Sequence, residues 1–307
     1  PNSSIGSWSN LQGWWKLDGP DSLWDAQTSD WIINNNAANV TSALDFDGNN
    51  VITIPENVSL QPTSAITISG WYKFGIQSAA WHYMFLHPDT AGKPPYAMYF
   101  GGSTAHLIFY VTTDGTGSPQ LVTSPSTSIS AVVYNQEWHN VVGVYDGAKV
   151  RIYVDGTQIS TGTACTGNLV YVPGNDFYLG ATTAVPNPTY ATTTEMSNVV
   201  IWNSALSDAN IETLHSTGPS TTLGAHPDSG NIVSWWKLDN TTTGIEDSST
   251  NTNDGTNNGT TQVTSYVSPL SGVSDAMTQA NLVPATLARS SSDSNYSFLF
   301  DGVSDWI

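Results

Sequence analysis

The carboxylates and nucleophiles of this chain do not form a recognisable catalytic set. Glycoside hydrolysis needs two carboxyl groups beside the scissile bond, and a strand places alternate carboxyl groups on one face. The five glutamates are Glu56, Glu137, Glu195, Glu212 and Glu246, and no Asp stands two residues after any of them. No serine lies in a nucleophile elbow, and the six histidines lack metal-ligand spacing. We therefore predict that the chain is not an enzyme.

Four oxygen-bearing side chains crowd one predicted loop. Asp45, Asp47, Asn49 and Asn50 lie within six residues, and carboxylate and amide oxygens are ligands that Ca²⁺ prefers. The same residue types also favour an Asx-rich turn exposed to water, with no ion bound. The sequence leaves both interpretations open, and calcium is the one cofactor that it suggests.

Aromatic side chains are the main candidates for ligand binding. The chain has 12 Trp, 13 Tyr and 8 Phe, and large rings are costly to leave exposed unless they bind something. Several stand in or beside predicted loops, where binding residues concentrate, and ring stacking with nearby hydrogen bonds would hold a sugar. The candidate ligand-binding residues are Trp24, Trp31, Trp81, His87, Asp89, Tyr96 and Tyr190. The alternative is that these rings pack the loops onto the core.

The charge balance excludes several classes of partner. Seven Lys and Arg face 25 Asp and Glu, which gives a formal net charge of −18. Nucleic-acid binding requires a basic surface that displaces counterions, and an anionic membrane would repel this chain. No apolar run reaches the roughly 18 residues of a membrane span, and Cys165, the single cysteine, has no partner for an internal disulfide. We therefore expect neither nucleic acid nor membrane as a partner.

Short strands separated by turns predict an all-β sandwich or barrel. The clearest hairpin runs from 138 to 145, turns at Asp146-Gly147, and returns from 149 to 154 to a second Asp-Gly turn. Asp-Gly supplies the positive φ that tight hairpin turns need. The one predicted helix covers 207–215, where Ser207 stands as a possible N-cap residue ahead of an apolar spacing.

Two motifs recur in the same order along the chain. Residues 13–18 (Gly-Trp-Trp-Lys-Leu-Asp) return as 234–239 (Ser-Trp-Trp-Lys-Leu-Asp), and residues 44–48 (Leu-Asp-Phe-Asp-Gly) return as 298–302 (Phe-Leu-Phe-Asp-Gly). Ordered repeats of this kind indicate a duplicated domain. We predict one complete domain at 1–218, a Ser/Thr/Gly/Pro-rich linker at 219–231, and the incomplete start of a second copy at 232–307.

The hairpin residues resemble a known family. The stretch 138–147 (Trp-His-Asn-Val-Val-Gly-Val-Tyr-Asp-Gly), followed by 151–156, is similar to the central hairpin of the laminin-G-like, concanavalin-A-like lectin/glucanase superfamily. Three further landmarks fit in order, and together they cover residues 13 to about 217. The resemblance implies an antiparallel jelly-roll β-sandwich. Ser197-Asn198 replaces the acidic pair that some relatives use in binding a metal, which speaks against a family-type metal site.

A second resemblance concerns the setting of the protein. Residues 272–283 (Gly-Val-Ser-Asp-Ala-Met-Thr-Gln-Ala-Asn-Leu-Val) are similar to stretches in structural proteins of marine bacteriophages. We predict a non-catalytic recognition or structural module of an extracellular assembly, such as a phage virion surface or fibre, with a cell-surface glycan and other virion or surface proteins as partners. Such assemblies are often homo-oligomers. The alternative is a carbohydrate-binding module or adhesin repeat of a secreted bacterial protein.

Overall fold

The computed structural model describes residues 40, 42–74, 81–88, 94–101, 106–115, 120–123, 137–160, 162–183, 190–219 and 223–263. It also describes two short strand pairs elsewhere, Trp24–Asp25 with Asp30–Trp31 and Leu287–Ala288 with Ser297–Phe298. The chain divides into two units, one formed by Ala38–Ser265 and the other by Pro1–Ala37 with Tyr266–Ile307. The two short strand pairs belong to the second of these units.

The Ala38–Ser265 unit is a sandwich of two antiparallel sheets. Its strands in chain order are β1 (Ala43–Asp47), β2 (Val51–Ile54), β3 (Ile66–Phe74), β4 (Trp81–His87), β5 (Tyr96–Gly101), β6 (His106–Val111), β7 (Gln120–Thr123), β8 (Trp138–Tyr145), β9 (Lys149–Val154), β10 (Thr157–Gln158), β11 (Thr163–Ala164), β12 (Phe177–Leu179), β13 (Thr193–Trp202), β14 (Ile232–Trp236), β15 (Thr256–Asn258) and β16 (Thr261–Val263). The nine-stranded sheet has the order β10-β9-β8-β3-β13-β1-β16, with β11 beside β9 and β14 beside β13. The seven-stranded sheet has the order β15-β2-β12-β4-β5-β6-β7. The predicted all-β antiparallel sandwich is confirmed.

The core lies between the two sheets because their strands alternate apolar and polar faces. In β6, Leu107, Phe109 and Val111 point into the core and are fully buried. The facing sheet contributes residues such as Tyr72 and Ile152, which are also fully buried. Alternation with period two follows from the pleat of a strand, so every second residue of these strands must face away from the core.

The predicted hairpin is confirmed as β8 and β9. Val141 pairs with Val154 and Tyr145 with Val150 in antiparallel register. The turn is held by Asp146, whose Oδ1 accepts hydrogen bonds from the backbone N–H groups of Ala148 at 2.8 Å and Lys149 at 2.6 Å. Gly147 in the turn has φ +84°, a value that glycine adopts without strain.

The predicted helix is confirmed as α1 (Asp208–Thr217). Ser207 is its N-cap residue, and the Ser207 hydroxyl accepts a hydrogen bond from the N–H of Asn210 at 3.2 Å. Ile211 and Leu214 are the buried positions of the helix, and they pack in one cluster with Val142 and Trp202 of the nine-stranded sheet. The helix thus covers the outer face of that sheet. Within the described residues, no helix combines the length and hydropathy of a membrane span.

Residues 232–263 belong to the same sandwich as the strands before them. β14 pairs with the second half of β13, while β15 pairs with β2 and β16 with β1. The predicted division, with a linker at 219–231 and a new sandwich from 232, does not describe these residues. The physical reason lies in β13, which is ten residues long. β1 covers only its first four residues, Thr193 to Met196, so the remaining edge is free for the Trp-Trp strand of the repeat.

Candidate ligand-binding site

The outer face of the seven-stranded sheet carries a group of aromatic side chains. Trp81 and Tyr83 on β4 alternate with the buried His82, and Tyr99 on β5 alternates with the buried Met98 and Phe100. Tyr110 follows the same rule on β6, and Tyr190 joins from the segment before β13. We call these five residues, Trp81, Tyr83, Tyr99, Tyr110 and Tyr190, the aromatic face.

The register of the sheet brings the rings of the aromatic face together. Tyr83 on β4 lies directly opposite Tyr99 on β5, and their rings stack with centroids 4.8 Å apart at 29°. Trp81 contacts Tyr99 edge-on, with centroids 5.3 Å apart. Both arrangements are among those that aromatic pairs prefer. The result is a continuous ring surface that crosses neighbouring strands.

Tyr190 is anchored to this surface by its own backbone. The N–H of Tyr83 donates a hydrogen bond to the carbonyl oxygen of Tyr190 at 3.0 Å, and the two rings lie 6.2 Å apart. Tyr190 has φ +49°, a region that bulky residues seldom occupy. It remains 58% exposed, and Trp81 remains 37% exposed. These two side chains therefore present open ring area beside the more sheltered tyrosines.

Tyr83 and Tyr99 of the aromatic face stay protonated at neutral pH. Burial, followed by the neighbouring Tyr83 and Tyr110, raises the pKa of Tyr99 to about 12. Burial, followed by Tyr110 and Tyr190, also raises the pKa of Tyr83. A neutral phenol both donates and accepts hydrogen bonds. The face therefore combines flat apolar rings with uncharged hydroxyl groups.

Two of the seven predicted ligand-binding residues, Trp81 and Tyr190, belong to the aromatic face. Trp24 and Trp31 are cross-strand partners in the other unit, and their side chains lie outside the described residues. Asp89 lies outside them as well. The prediction for these three residues remains a prediction.

His87 and Tyr96 lie in the core, which corrects their assignment to a ligand site. Tyr96 is fully buried, and its hydroxyl donates to the carbonyl oxygen of Leu60 at 2.8 Å. His87 is 1% exposed and packs edge-on against Tyr96 and Tyr171 at 5.4 and 5.2 Å. Burial lowers the pKa of His87. Neither side chain offers a surface to a sugar, because both sit at inward positions of the sheet.

Sequence reasoning missed Tyr83, Tyr99 and Tyr110. The candidate aromatic residues were mainly those in or beside predicted loops, whereas these three stand within strands. A signal was available, because Trp81 and Tyr83 stand two residues apart and so share one face of β4. The sequence pattern does not show which of the two faces of a strand points outward.

The four candidate calcium ligands form a turn rather than a converging set. The Asp47 Oδ1 atom accepts hydrogen bonds from the Asn49 N–H at 2.9 Å and from the Asn50 Nδ2 at 3.0 Å. Asn50 in turn accepts from the N–H of Asp47 at 3.1 Å. Asp45 instead faces Glu195 across the strands, and burial followed by Glu195 raises its pKa. The described residues contain no group of three or more His, Cys, Asp or Glu side chains placed to hold a metal, and calcium binding by these four residues stays a prediction.

Comparison with known proteins places the chain in a family. Residues 46–212 match the model of the family described as the concanavalin A-like lectin/glucanases superfamily. Because this match covers more than half of the chain, the chain belongs to that superfamily. None of the curated proteins matches this sequence.

Several solved structures are similar to this chain. A candidate carbohydrate-binding protein from Bacteroides ovatus ATCC 8483 superposes with a TM-score of 0.55 at 21% identity, over 74% of this chain and 60% of that one. A heptameric pentraxin from Limulus polyphemus matches with a TM-score of 0.44 at 13% identity, over 60% of this chain and 83% of that one. The sialidase module CBM40 from Ruminococcus gnavus, solved with sialyllactose, matches with a TM-score of 0.45 at 12% identity, over 56% of this chain and 96% of that one. At these identities the first similarity supports the fold alone, and the chain spans less than two thirds of the Bacteroides protein.

Proposed function

We propose that this chain is a non-catalytic glycan-binding module and that the glycan lies on the aromatic face. One observation carries the proposal. The outer face of the nine-stranded sheet is covered by α1, whereas the outer face of the seven-stranded sheet presents five clustered rings, two of them substantially exposed. Open clusters of this kind on a protein surface mark binding sites.

The chemistry of the aromatic face suits a sugar. The C–H face of a pyranose ring is apolar and packs on flat aromatic rings, while the sugar hydroxyls need hydrogen-bond partners around it. The stacked pair Tyr83 and Tyr99 supplies rings at a fixed spacing of 4.8 Å, and the neutral phenols supply donors. A largely preformed platform loses little conformational entropy on binding.

The test is a glycan array probed with the full chain and with two variants. Trp81→Ala and Tyr190→Ala remove the most exposed rings, so they change the ligand surface with little effect on the core. We expect each to weaken binding at least about tenfold, as truncation of an aromatic contact typically costs more than 1 kcal/mol. Val58→Ala serves as the control, because Val58 is 81% exposed and lies outside the aromatic face. Equal binding by all four proteins, or none by the unaltered chain, would refute the proposal.

The same array tests calcium and catalysis. The Asp47–Asn50 turn satisfies its own hydrogen bonds, so we expect binding to persist in a chelator. Loss of binding in the chelator, restored by Ca²⁺, would show a calcium site. Release of shortened products from any bound glycan would show that the chain is an enzyme, contrary to the prediction from its five glutamates.

The setting of the module stays a prediction from sequence. Residues 272–283, which carry the resemblance to phage structural proteins, lie outside the described residues. Two settings therefore stand beside each other, a virion surface or fibre and a carbohydrate-binding module or adhesin repeat of a secreted bacterial protein. The gene neighbourhood distinguishes them, because virion genes beside this one support the first and a fused hydrolase or surface anchor supports the second.

A further inference from the structure

The seven-stranded sheet is built without a single charged residue. Its strands read Val-Ile-Thr-Ile, Trp-His-Tyr-Met-Phe-Leu-His, Tyr-Ala-Met-Tyr-Phe-Gly, His-Leu-Ile-Phe-Tyr-Val, Gln-Leu-Val-Thr, Phe-Tyr-Leu and Thr-Asn-Asn. None of these residues is Asp, Glu, Lys or Arg. The outward positions follow the same rule, since Tyr83, Tyr99 and Ile108 form one cross-strand row and Trp81, Gly101 and His106 form the next.

The basic side chains of the described residues stand elsewhere. They are Lys73, Lys149, Arg151 and Lys237, all on strands of the nine-stranded sheet or directly after one. Two of them are already paired. The Lys73 ammonium lies 3.0 Å from a Glu195 carboxylate oxygen, and the Arg151 guanidinium lies 2.7 Å from an Asp146 carboxylate oxygen. No described cation therefore stands on the aromatic face.

The ionisable surroundings of the face agree with this placement. Burial is the main cause that raises the pKa of Tyr83 and Tyr99, and the ionisable groups that add to it are other tyrosines of the same face. On the opposite sheet, by contrast, burial and the charge of Glu195 raise the pKa of Asp45, and the charge of Lys73 acts in the lowering direction. Among the described residues of the sandwich, the charged side chains that stand on strands therefore all belong to the nine-stranded sheet, while Glu56, Asp114 and Asp176 lie in connections beside the seven-stranded sheet.

We propose that the aromatic face takes neutral glycans and rejects those that carry carboxylates, an inference that rests on the proposed function. Two physical effects act together. A carboxylate pressed onto uncharged rings loses hydration and finds no cationic partner among the residues described there, and an unpaired charge is costly to desolvate. In addition, the formal net charge of −18 repels an anion at long range. A neutral sugar meets neither obstacle.

The experiment compares matched ligands that differ only in charge. The full chain is titrated with neutral gluco-, galacto- and manno-oligosaccharides and with the same oligosaccharides after oxidation of their primary alcohols to carboxylates. We expect each anionic form to bind at least about tenfold more weakly than its neutral partner, since a buried polar group without a partner is costly to desolvate. The measurements are made at pH 8, above the ordinary pKa of histidine, so that histidines do not supply a cation.

Salt separates the two effects. At about 1 M salt the Debye length falls to about 3 Å, so the long-range repulsion disappears and only the desolvation penalty remains. We expect most of the discrimination to survive at this salt concentration. Complete loss of discrimination in high salt would overturn the claim that the face itself selects the ligand.

A cation placed on the face provides the converse test. His106 is partly exposed and lies opposite Gly101, in the same row as Trp81. We expect His106→Arg to bind the oxidised ligands several-fold more tightly than His106→Gln, the matched neutral variant, because guanidinium pairs well with carboxylate. Equal affinity of the two variants for oxidised ligands would overturn the inference.

The outcomes keep the two proposals apart. Binding of anionic and neutral forms with equal affinity would overturn the inference and leave glycan binding intact. Binding of neither form would overturn the proposed function and the inference with it.

Discussion

Removal of the Trp236 side chain is the sharpest test of how the sandwich is completed. Trp236 is fully buried, and its indole N–H donates to the carbonyl oxygen of Asn253 at 2.8 Å. Its ring stacks on Phe177 of the opposite sheet with centroids 5.7 Å apart. Trp236, which belongs to the nine-stranded sheet, thus packs directly against the seven-stranded sheet.

The expected effect of Trp236→Ala is large. Truncation of a buried Trp to Ala costs about 3–5 kcal/mol, which combines lost apolar burial with the cavity left behind. The same change leaves the Asn253 carbonyl group without its donor, which adds to the cost. A domain of this size loses roughly 2–4 °C in melting temperature for each kcal/mol. We therefore expect the melting temperature of the sandwich to fall by at least roughly 6 °C.

Calorimetry and urea unfolding of the full chain measure this effect, and the repeat provides a matched control. Trp15 occupies the same place as Trp236 in the repeated motif, so Trp15→Ala makes the same chemical change in the other copy. If Trp15→Ala lowered the sandwich transition by this amount while Trp236→Ala left it unchanged, the edge of β13 would belong to residues 13–17. That result would refute the arrangement described above.

Two further predictions concern stability. Asp247→Ala should lower the free energy of unfolding by about 2–4 kcal/mol, because the buried carboxylate accepts hydrogen bonds from the N–H groups of Trp235 and Asn253 at 2.9 and 3.0 Å. Urea titration measures this loss, and Glu246→Ala, which removes an exposed neighbouring carboxylate, is the control. Equal losses of stability in the two variants would contradict the prediction. Stability should also fall as pH rises above about 10, since the unfolded chain then loses phenolic protons that Tyr99, with its pKa raised to about 12, retains. Melting curves from pH 9 to 11.5 should show a smaller loss for Tyr99→Phe, and an identical loss would refute the argument.

The hairpin and the helix could be predicted because their signals are local. Asp146-Gly147 between two apolar strands demands a tight turn, and the structure places that turn between β8 and β9. Ser207 before an apolar spacing demands a helix start, and α1 begins at the next residue. In both cases the chain within a few residues supplies the hydrogen bonds that define the element, so no distant partner is needed.

The residues of the aromatic face were only partly predictable because they depend on the outward side of a strand. Trp81 and Tyr190 could be proposed from their places in or beside predicted loops. Tyr99 and Tyr96 stand three residues apart on β5 and are similar in chemistry, yet one faces outward and the other is fully buried. The alternation of side chains along a strand shows which residues share a face. The face that packs against the opposite sheet becomes the core, and the strand alone does not determine which face that is.

The sequence by itself determined the family, the all-β class and the presence of two copies of one Trp-Trp motif. These follow from residue types, alternation and local turn chemistry, which the chain carries wherever it folds. Only the tertiary structure decided that the copy at 232–236 completes the sandwich of the preceding strands, since an open edge of β13 exists only after the sheet has formed. The tertiary structure likewise decided that α1 covers one outer face while the aromatic face stays open, because burial is a property of packed layers and not of any one segment.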